Sequence, residues 1–204
     1  SAIKFRSGEN PARWKGHLDS LLPARKKIAR VQHHPALPWQ DMSVFMAELK
    51  QQAGVGALAL QFTILTAARS GEVRGMTWDE VNLDDAVWII PGERMKAGRD
   101  HRVPLSTHAK AILITMEELK LGDTNVVFPG VRDHKPLSDM ALTAVLKRME
   151  RTDITVHGFR STFRDWAAEV THYPREMAEM ALAHTVSDQV EAAYRRGDMF
   201  EKRR

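Results

Sequence analysis

Two periodicities divide the chain. Over residues 54–68, Val55, Leu58, Leu60, Phe62, Ile64 and Leu65 face nearly every direction of a helix, the pattern of a segment at the centre of a core. Residues 40–51, 107–120, 137–150, 157–170, 174–183 and 187–196 read as further helices. Asn10-Pro11 reads as the N-cap and first position of an earlier helix reaching about Leu22, with Trp14, Leu18 and Leu21 on one side. That helix is too short to bury its own apolar face, so it is expected to belong to a domain mostly outside this chain. In the middle the period shortens. Ala86-Val87-Trp88-Ile89-Ile90 and His101-Arg102-Val103-Pro104-Leu105 are strand-like runs, joined by a basic connection from Pro91-Gly92 to Asp100. Val126-Val127-Phe128 reads as another short strand before Pro129-Gly130. The expected fold is mainly α with a small antiparallel β-sheet (α+β).

Composition narrows the function classes. With 204 residues, 43% hydrophobic and 27% charged, the chain can bury a sizeable core, which excludes wholesale disorder. No apolar run approaches the roughly eighteen residues of a membrane span. The absence of cysteine excludes disulfides, thiol nucleophiles and thiolate metal sites. No secretory signal is read at the start, where Ser1-Ala2-Ile3-Lys4 looks like a cut end, and a cytoplasmic location is expected. The net charge of +4 is only a mild argument for a polyanionic partner. Its distribution says more. Between Asp19 and Asp41 there is no acidic residue, while Arg25, Lys26, Lys27 and Arg30 are joined by His33 and His34 in a stretch broken by Pro23, Pro35 and Pro38. Such a stretch is either a solvated linker, the more frequent case, or a strap along a phosphate backbone.

Five places hold polar residues that patterning does not account for. Arg69 ends the most apolar helix, with Glu72 three positions on, and a buried guanidinium needs an anionic partner: either Glu72 itself or a ligand. The connection between the strands carries Arg94, Lys96, Arg99 and Arg102, either a solvated turn or a hairpin that delivers a lysine to a phosphate. His157 and Arg160 share the first turn of a helix, where N–H groups and the helix dipole favour anions. His184 follows an apolar face, and Tyr194 is one of two tyrosines; alone, each is most often a packing residue. Together they suggest one chemistry. Arginines can fork onto phosphodiester oxygens, histidines can hydrogen-bond them, a lysine can protonate a leaving oxygen, and a tyrosine can attack phosphorus. An ester then replaces an ester, and no nucleotide cofactor is required.

In order and approximate spacing, Arg69-x-x-Glu72, Lys96, His157-x-x-Arg160, His184 and Tyr194 resemble the active site of tyrosine recombinases, and most of all the phage-type integrases of prophages and genomic islands. Asn10-Pro11-Ala12, His33-His34-Pro35-Ala36-Leu37-Pro38 and residues 96–106 (K-A-G-R-D-H-R-V-P-L-S) also read like that branch. The resemblance implies that Arg69 and Arg160 bind the scissile phosphate, with His157 and His184 hydrogen-bonding its oxygens. It implies Lys96 as general acid for the 5′-hydroxyl, Glu72 as the group that orients the arginines, and Tyr194 as the nucleophile of a 3′-phosphotyrosine. Arg25, Lys26, Lys27, Arg30, Arg94, Arg99 and Arg102 are then candidates for the DNA backbone. No metal or other cofactor is implied. The partners implied are double-stranded attachment-site DNA, a homotetramer on that DNA, an excisionase and a host DNA-bending protein, within a bacterial nucleoid. Residues 1–22 would be the last helix of a truncated core-binding domain, 23–39 a basic linker, and 40–204 the catalytic domain with a shortened tail. Three other readings stay open: a silent DNA-binding regulator, a nicking topoisomerase with related chemistry, and a metal-dependent hydrolase using His101, His157 and His184.

Overall fold

In a computed structural model that describes residues 10–22, 34–120, 122–131, 135–184 and 197–204, the chain divides into two units, residues 1–33 and 34–204. In the first, the helix expected from Asn10 to Leu22 is broken. Lys15 is extended and Gly16 is left-handed with φ +77°, so only a turn at Trp14–Leu18 and another at Asp19–Leu21 are helical. Side chains explain the break: Asn10 Oδ1 accepts from Ala12 N at 2.9 Å and Asp19 Oδ1 from Gly16 N at 2.9 Å, drawing the backbone into local turns.

The second unit is built around α1 (Met42–Lys50) and α2 (Val55–Thr66). As its all-round apolar pattern requires, α2 lies in the core, with Ala57, Ala59, Leu60 and Phe62 fully buried. Phe62 meets the rings of Trp88 and Phe128, each with centroids 5.6 Å away, joining the helix to the sheet. α3 (Ser70–Arg74) follows after a sharp turn. The sheet has β1 (Val81–Asn82), β2 (Val87–Ile90) and β3 (His101–Pro104) in the order β1-β2-β3, all antiparallel, with Trp88 opposite Val103 and Ile90 opposite His101. The two strands read from the sequence are present; β1, only two residues long, was not foreseen.

Behind the sheet, α4 (Thr107–Glu118) is capped by Ser106, whose hydroxyl accepts from Ala109 N at 3.2 Å. Residues 126–128 do not form a strand of the sheet. Val126 makes a single bridge with Thr77, and Pro129 makes another with Pro136. α5 (Ala141–Arg148) begins four residues later than expected, because Arg74 takes the Leu137 carbonyl at 2.9 Å and the Asp139 carboxylate at 2.5 Å. The last elements are α6 (Gly158–Val170), α7 (Arg175–Ala181) and the terminal turn α8 (Phe200–Arg203). The helix expected over 187–196 lies outside the described residues. Mainly helical with one small antiparallel sheet, the architecture matches the expected class.

Residues 34–38, the end of the stretch read as a linker, run extended across the start of α6. Pro35 O accepts from Thr155 N at 3.0 Å, and Leu37 O accepts from the buried Thr162 hydroxyl at 2.6 Å. The approach is so close that a Cβ on Gly158 would stand 2.1 Å from Pro35 O and 2.9 Å from Ala36 Cα. Backbone on both sides cannot yield cheaply. Gly158→Ala should therefore cost about 2–3 kcal/mol of stability through forced displacement of this strap. Chemical denaturation checks it, and an unchanged midpoint would show that the strap lifts away freely.

Candidate active site

The site forms where two helices end. α2 and α7 terminate in left-handed residues, Ala67 (φ 50°) and Ala183 (φ 48°), so their last carbonyls have no helical N–H to accept from. Arginines from two other places fill that need. Arg160, in the first turn of α6 and only 6% exposed, donates through one terminal nitrogen to Ala67 O and through the other to Leu182 O. Arg69 donates to Ala183 O at 3.3 Å. The negative ends of two helix dipoles thus hold two cations side by side.

Glu72, buried at the third position of α3, accepts from the Arg69 backbone N at 2.8 Å and from its guanidinium at 2.6 Å. This ion pair is the structural partnership that the sequence left open for Arg69. It leaves Arg160 without a countercharge: among the described residues, no carboxylate lies within ion-pair distance of it. Its Nε is buried without a hydrogen-bond partner. Burial, and then the neighbouring Arg69 charge, lower its pKa to about 10, against the pull of Glu72; it remains a cation at neutral pH. Two guanidiniums with one carboxylate between them make a site short of one negative charge.

Histidines stand at its rim. His184 Nε2 lies 3.3 Å from Arg160, while its Nδ1 lies 2.6 Å from Glu179. The His157 ring packs on His34 with centroids 4.5 Å apart. Its pKa is lowered by partial burial and by the charges of His34, Arg160, Arg69 and His184, so it is neutral at neutral pH. Over them bends the β2–β3 hairpin. Gly98 turns it at φ 65°, and Asp100 closes its base by accepting from Gly92 N at 2.8 Å. Arg94 is turned inward to the Glu80 carboxylate and the Glu72 carbonyl. Two residues on, the exposed Lys96 lines an open cleft of about 360 Å³ with Arg69, Ala97, Glu179, Ala183 and His184. A cationic cleft with a mobile-length lysine above it can hold a phosphodiester and protonate an oxygen leaving from it.

Comparison with known proteins finds a family and several relatives. The phage integrase family matches residues 36–200. The chain belongs to the phage integrase family. It is 38% identical over 143 residues to the prophage integrase IntA of Escherichia coli strain K12, covering 69% of this chain and 34% of that protein. The integrase of Enterobacteria phage P4 is 31% identical over 183 residues, covering 81% and 42%. The chain thus spans less than half of either relative. Among solved structures, a lambda integrase (75–356) dimer bound to a COC′ core site shares the fold, with TM-score 0.58 and 18% identity over 84% of this chain and 62% of that one.

Of the residues singled out for this integrase-family chain, the structure brings together Arg69, Glu72, Lys96, His157, Arg160 and His184. Tyr194 and the strap residues Arg25, Lys26, Lys27 and Arg30 lie outside the described residues. Arg99 is exposed on the hairpin. Arg102 instead forks onto Asp198, with contacts of 2.6 and 2.8 Å, and stacks over Phe200 at 4.5 Å. The three histidines of the hydrolase reading point to separate partners. Among the described residues, no group of three or more His, Asp or Glu is placed to hold a metal. Sequence reasoning missed Glu179 and the packing of His34 on His157, and it missed the carbonyls of Ala67, Leu182 and Ala183 altogether. Glu179, on α7 and five positions before His184, was the one visible signal.

His101 ties the hairpin to this framework from behind, bonding the Ala181 carbonyl next to Leu182. Burial, and then the Arg203 charge, lower its pKa from 6.5 to about 4, outweighing Glu72, Ala181 and Asp198, which raise it. The unfolded chain therefore binds a proton in this window that the folded chain refuses. The stability from neutral His101 is fully present above pH 6.5 and is lost as pH falls toward about 4. The loss is up to about 3 kcal/mol. In urea titrations between pH 7 and pH 4.5, His101→Gln should lose less stability than the parent chain; parallel curves would overturn the assignment.

Proposed function

We propose that this chain is the catalytic part of a site-specific DNA recombinase, which cuts and rejoins DNA through a 3′-phosphotyrosine in the integration and excision of a prophage or genomic island. The observation that carries the reading is Arg160: a buried cation with no carboxylate in ion-pair distance among the described residues, beside Arg69 and His184 and near the lysine of a cationic cleft. Such a group is costly to bury unless an anion completes it, and a bridging phosphate supplies one charge and two free oxygens. Family membership over residues 36–200 supports the same reading.

In this mechanism the Tyr194 phenolate attacks phosphorus and the P–O5′ bond breaks. The electron pair leaves on the 5′-oxygen, which takes a proton from the Lys96 ammonium. Arg69 and Arg160 neutralise the charge on the non-bridging oxygens as phosphorus becomes five-coordinate, and His157 and His184 hydrogen-bond them. Glu72 keeps Arg69 in place without touching DNA. A second 5′-hydroxyl reverses the steps and reseals the strand, so one ester replaces another and neither metal nor nucleotide is consumed. Residues 40–204 act as the catalytic domain, 23–39 as the linker and 1–22 as the end of a core-binding domain. Arg25, Lys26, Lys27, Arg30 and Arg99 follow the backbone. Lambda integrase, which shares the fold, has been solved as a tetramer on a Holliday junction. The same assembly on attachment-site DNA is proposed here, assisted by an excisionase and a host DNA-bending protein.

The test is covalent trapping. The full-length protein, incubated in chelator with nicked duplexes carrying candidate attachment sites, should give a slow, protease-sensitive adduct on a denaturing gel. Tyr194→Phe should abolish it, and Arg69→Ala or Arg160→Ala should reduce its rate by about 10²–10³-fold. No adduct on any sequence the protein demonstrably binds would favour the silent DNA-binding reading. Lys96→Ala should lose cleavage and regain it on a substrate whose 5′-oxygen is replaced by sulfur, a leaving group that needs no acid. Normal cutting of ordinary DNA by that variant would assign the proton to another group.

A further inference from the structure

A carboxylate in a cleft built for phosphate demands an explanation. Glu179 lines the same cleft as Arg69, Lys96 and His184, where a free negative charge would repel a phosphodiester. Its two oxygens are committed elsewhere. Oε1 accepts from Arg164 Nε at 2.8 Å, with Arg175 Nε at 3.7 Å, and Oε2 accepts from His184 Nδ1 at 2.6 Å. We propose that Glu179 is a positioning residue for His184, holding the ring with its proton on Nδ1 and its Nε2 turned to Arg160 and the reacting phosphate. The role rests on the recombinase reading; the geometry does not.

The proton assignment follows from the partners on either side. A carboxylate can only accept, so Nδ1 carries the hydrogen that points to Glu179. Arg160 can only donate, so Nε2 of the neutral ring accepts from it at 3.3 Å. Both contacts are satisfied by one tautomer alone. When Nε2 takes up a proton it becomes a second donor, aimed at a phosphate oxygen while Glu179 faces the other N–H. The local backbone is built for this. His184 N donates to Glu179 O at 2.9 Å and Ala183 is left-handed, which folds residue 184 back over residue 179. His184 is 44% exposed, so without these two contacts its ring would be free to turn. Glu179 stays ionised: burial pushes its pKa up, but hydrogen bonds from Arg164 and His184 together hold it below the usual carboxylate range.

Two measurements on the full-length protein test the proposal. Long-range ¹⁵N NMR of the histidine rings should report His184 protonated on Nδ1 in the parent, with that preference lost in Glu179→Ala. In single-turnover cleavage of a nicked duplex, Glu179→Ala should slow adduct formation by about 10–100-fold while DNA affinity is kept. In a His184→Ala background, the same change should add less than about twofold, because its target is already gone. If Glu179→Ala does not fold, Glu179→Leu, which keeps the bulk but cannot accept a hydrogen bond, takes its place in both measurements. A full-sized loss on top of His184→Ala, or a His184 tautomer indifferent to residue 179, would overturn the inference. Absence of any adduct from the parent protein would instead overturn the recombinase reading, and the NMR result would still decide the role of Glu179.

Discussion

The rest of the site depends on one interaction, the capture of two guanidinium groups by the carbonyls at which helices α2 and α7 end. Those carbonyls have no helical partners, and each helix stops in a left-handed alanine that aims them inward. Arg160 binds one from each helix, so α6 cannot seat without fixing the ends of both. Arg69 binds the next carbonyl along. Hydrogen bonds from a charged donor contribute about 1.5–3 kcal/mol each, enough to hold a cation that burial alone would expel. Stability and chemistry are thus drawn from the same atoms. Neutral acceptors locate the arginines without cancelling their charge.

Charge counting explains the remaining layout. Glu72 neutralises one arginine and Glu80 neutralises Arg94, which anchors the hairpin base. Glu179 is divided between Arg164 and His184. Among the described residues, Arg160 and Lys96 are left without a carboxylate partner, the two cations that the proposed phosphodiester would meet.

Much of the fold was legible because its elements are strongly patterned. α2 is apolar on all sides and could only be central, and the two strands flanking the basic hairpin were bounded by glycine and proline. What failed did so for local polar reasons. Asn10 and Asp19 bend the N-terminal segment out of helix, and Arg74 delays α5 by taking the Leu137 carbonyl. The strand read at 126–128 shrinks to one bridge from Val126 to Thr77, apart from the three-stranded sheet.

For function the division is similar. The types and order of the reactive side chains, and the family they belong to, are properties of the sequence: each needs a particular functional group, and a functional group is written in one residue. Which groups neutralise one another is not. Arg94 and Lys96 are two residues apart and chemically alike, yet one is spent on Glu80 and the other stands free in the cleft. Arg69 and Arg160 look equivalent in the chain, yet among the described residues only the first has a carboxylate. Main-chain carbonyls, identical at every position, became ligands for arginine because two helices stop where they do. Such outcomes depend on distances between segments that the sequence separates by as many as 114 residues, as for Arg69 and Ala183, and only the packed core sets those distances.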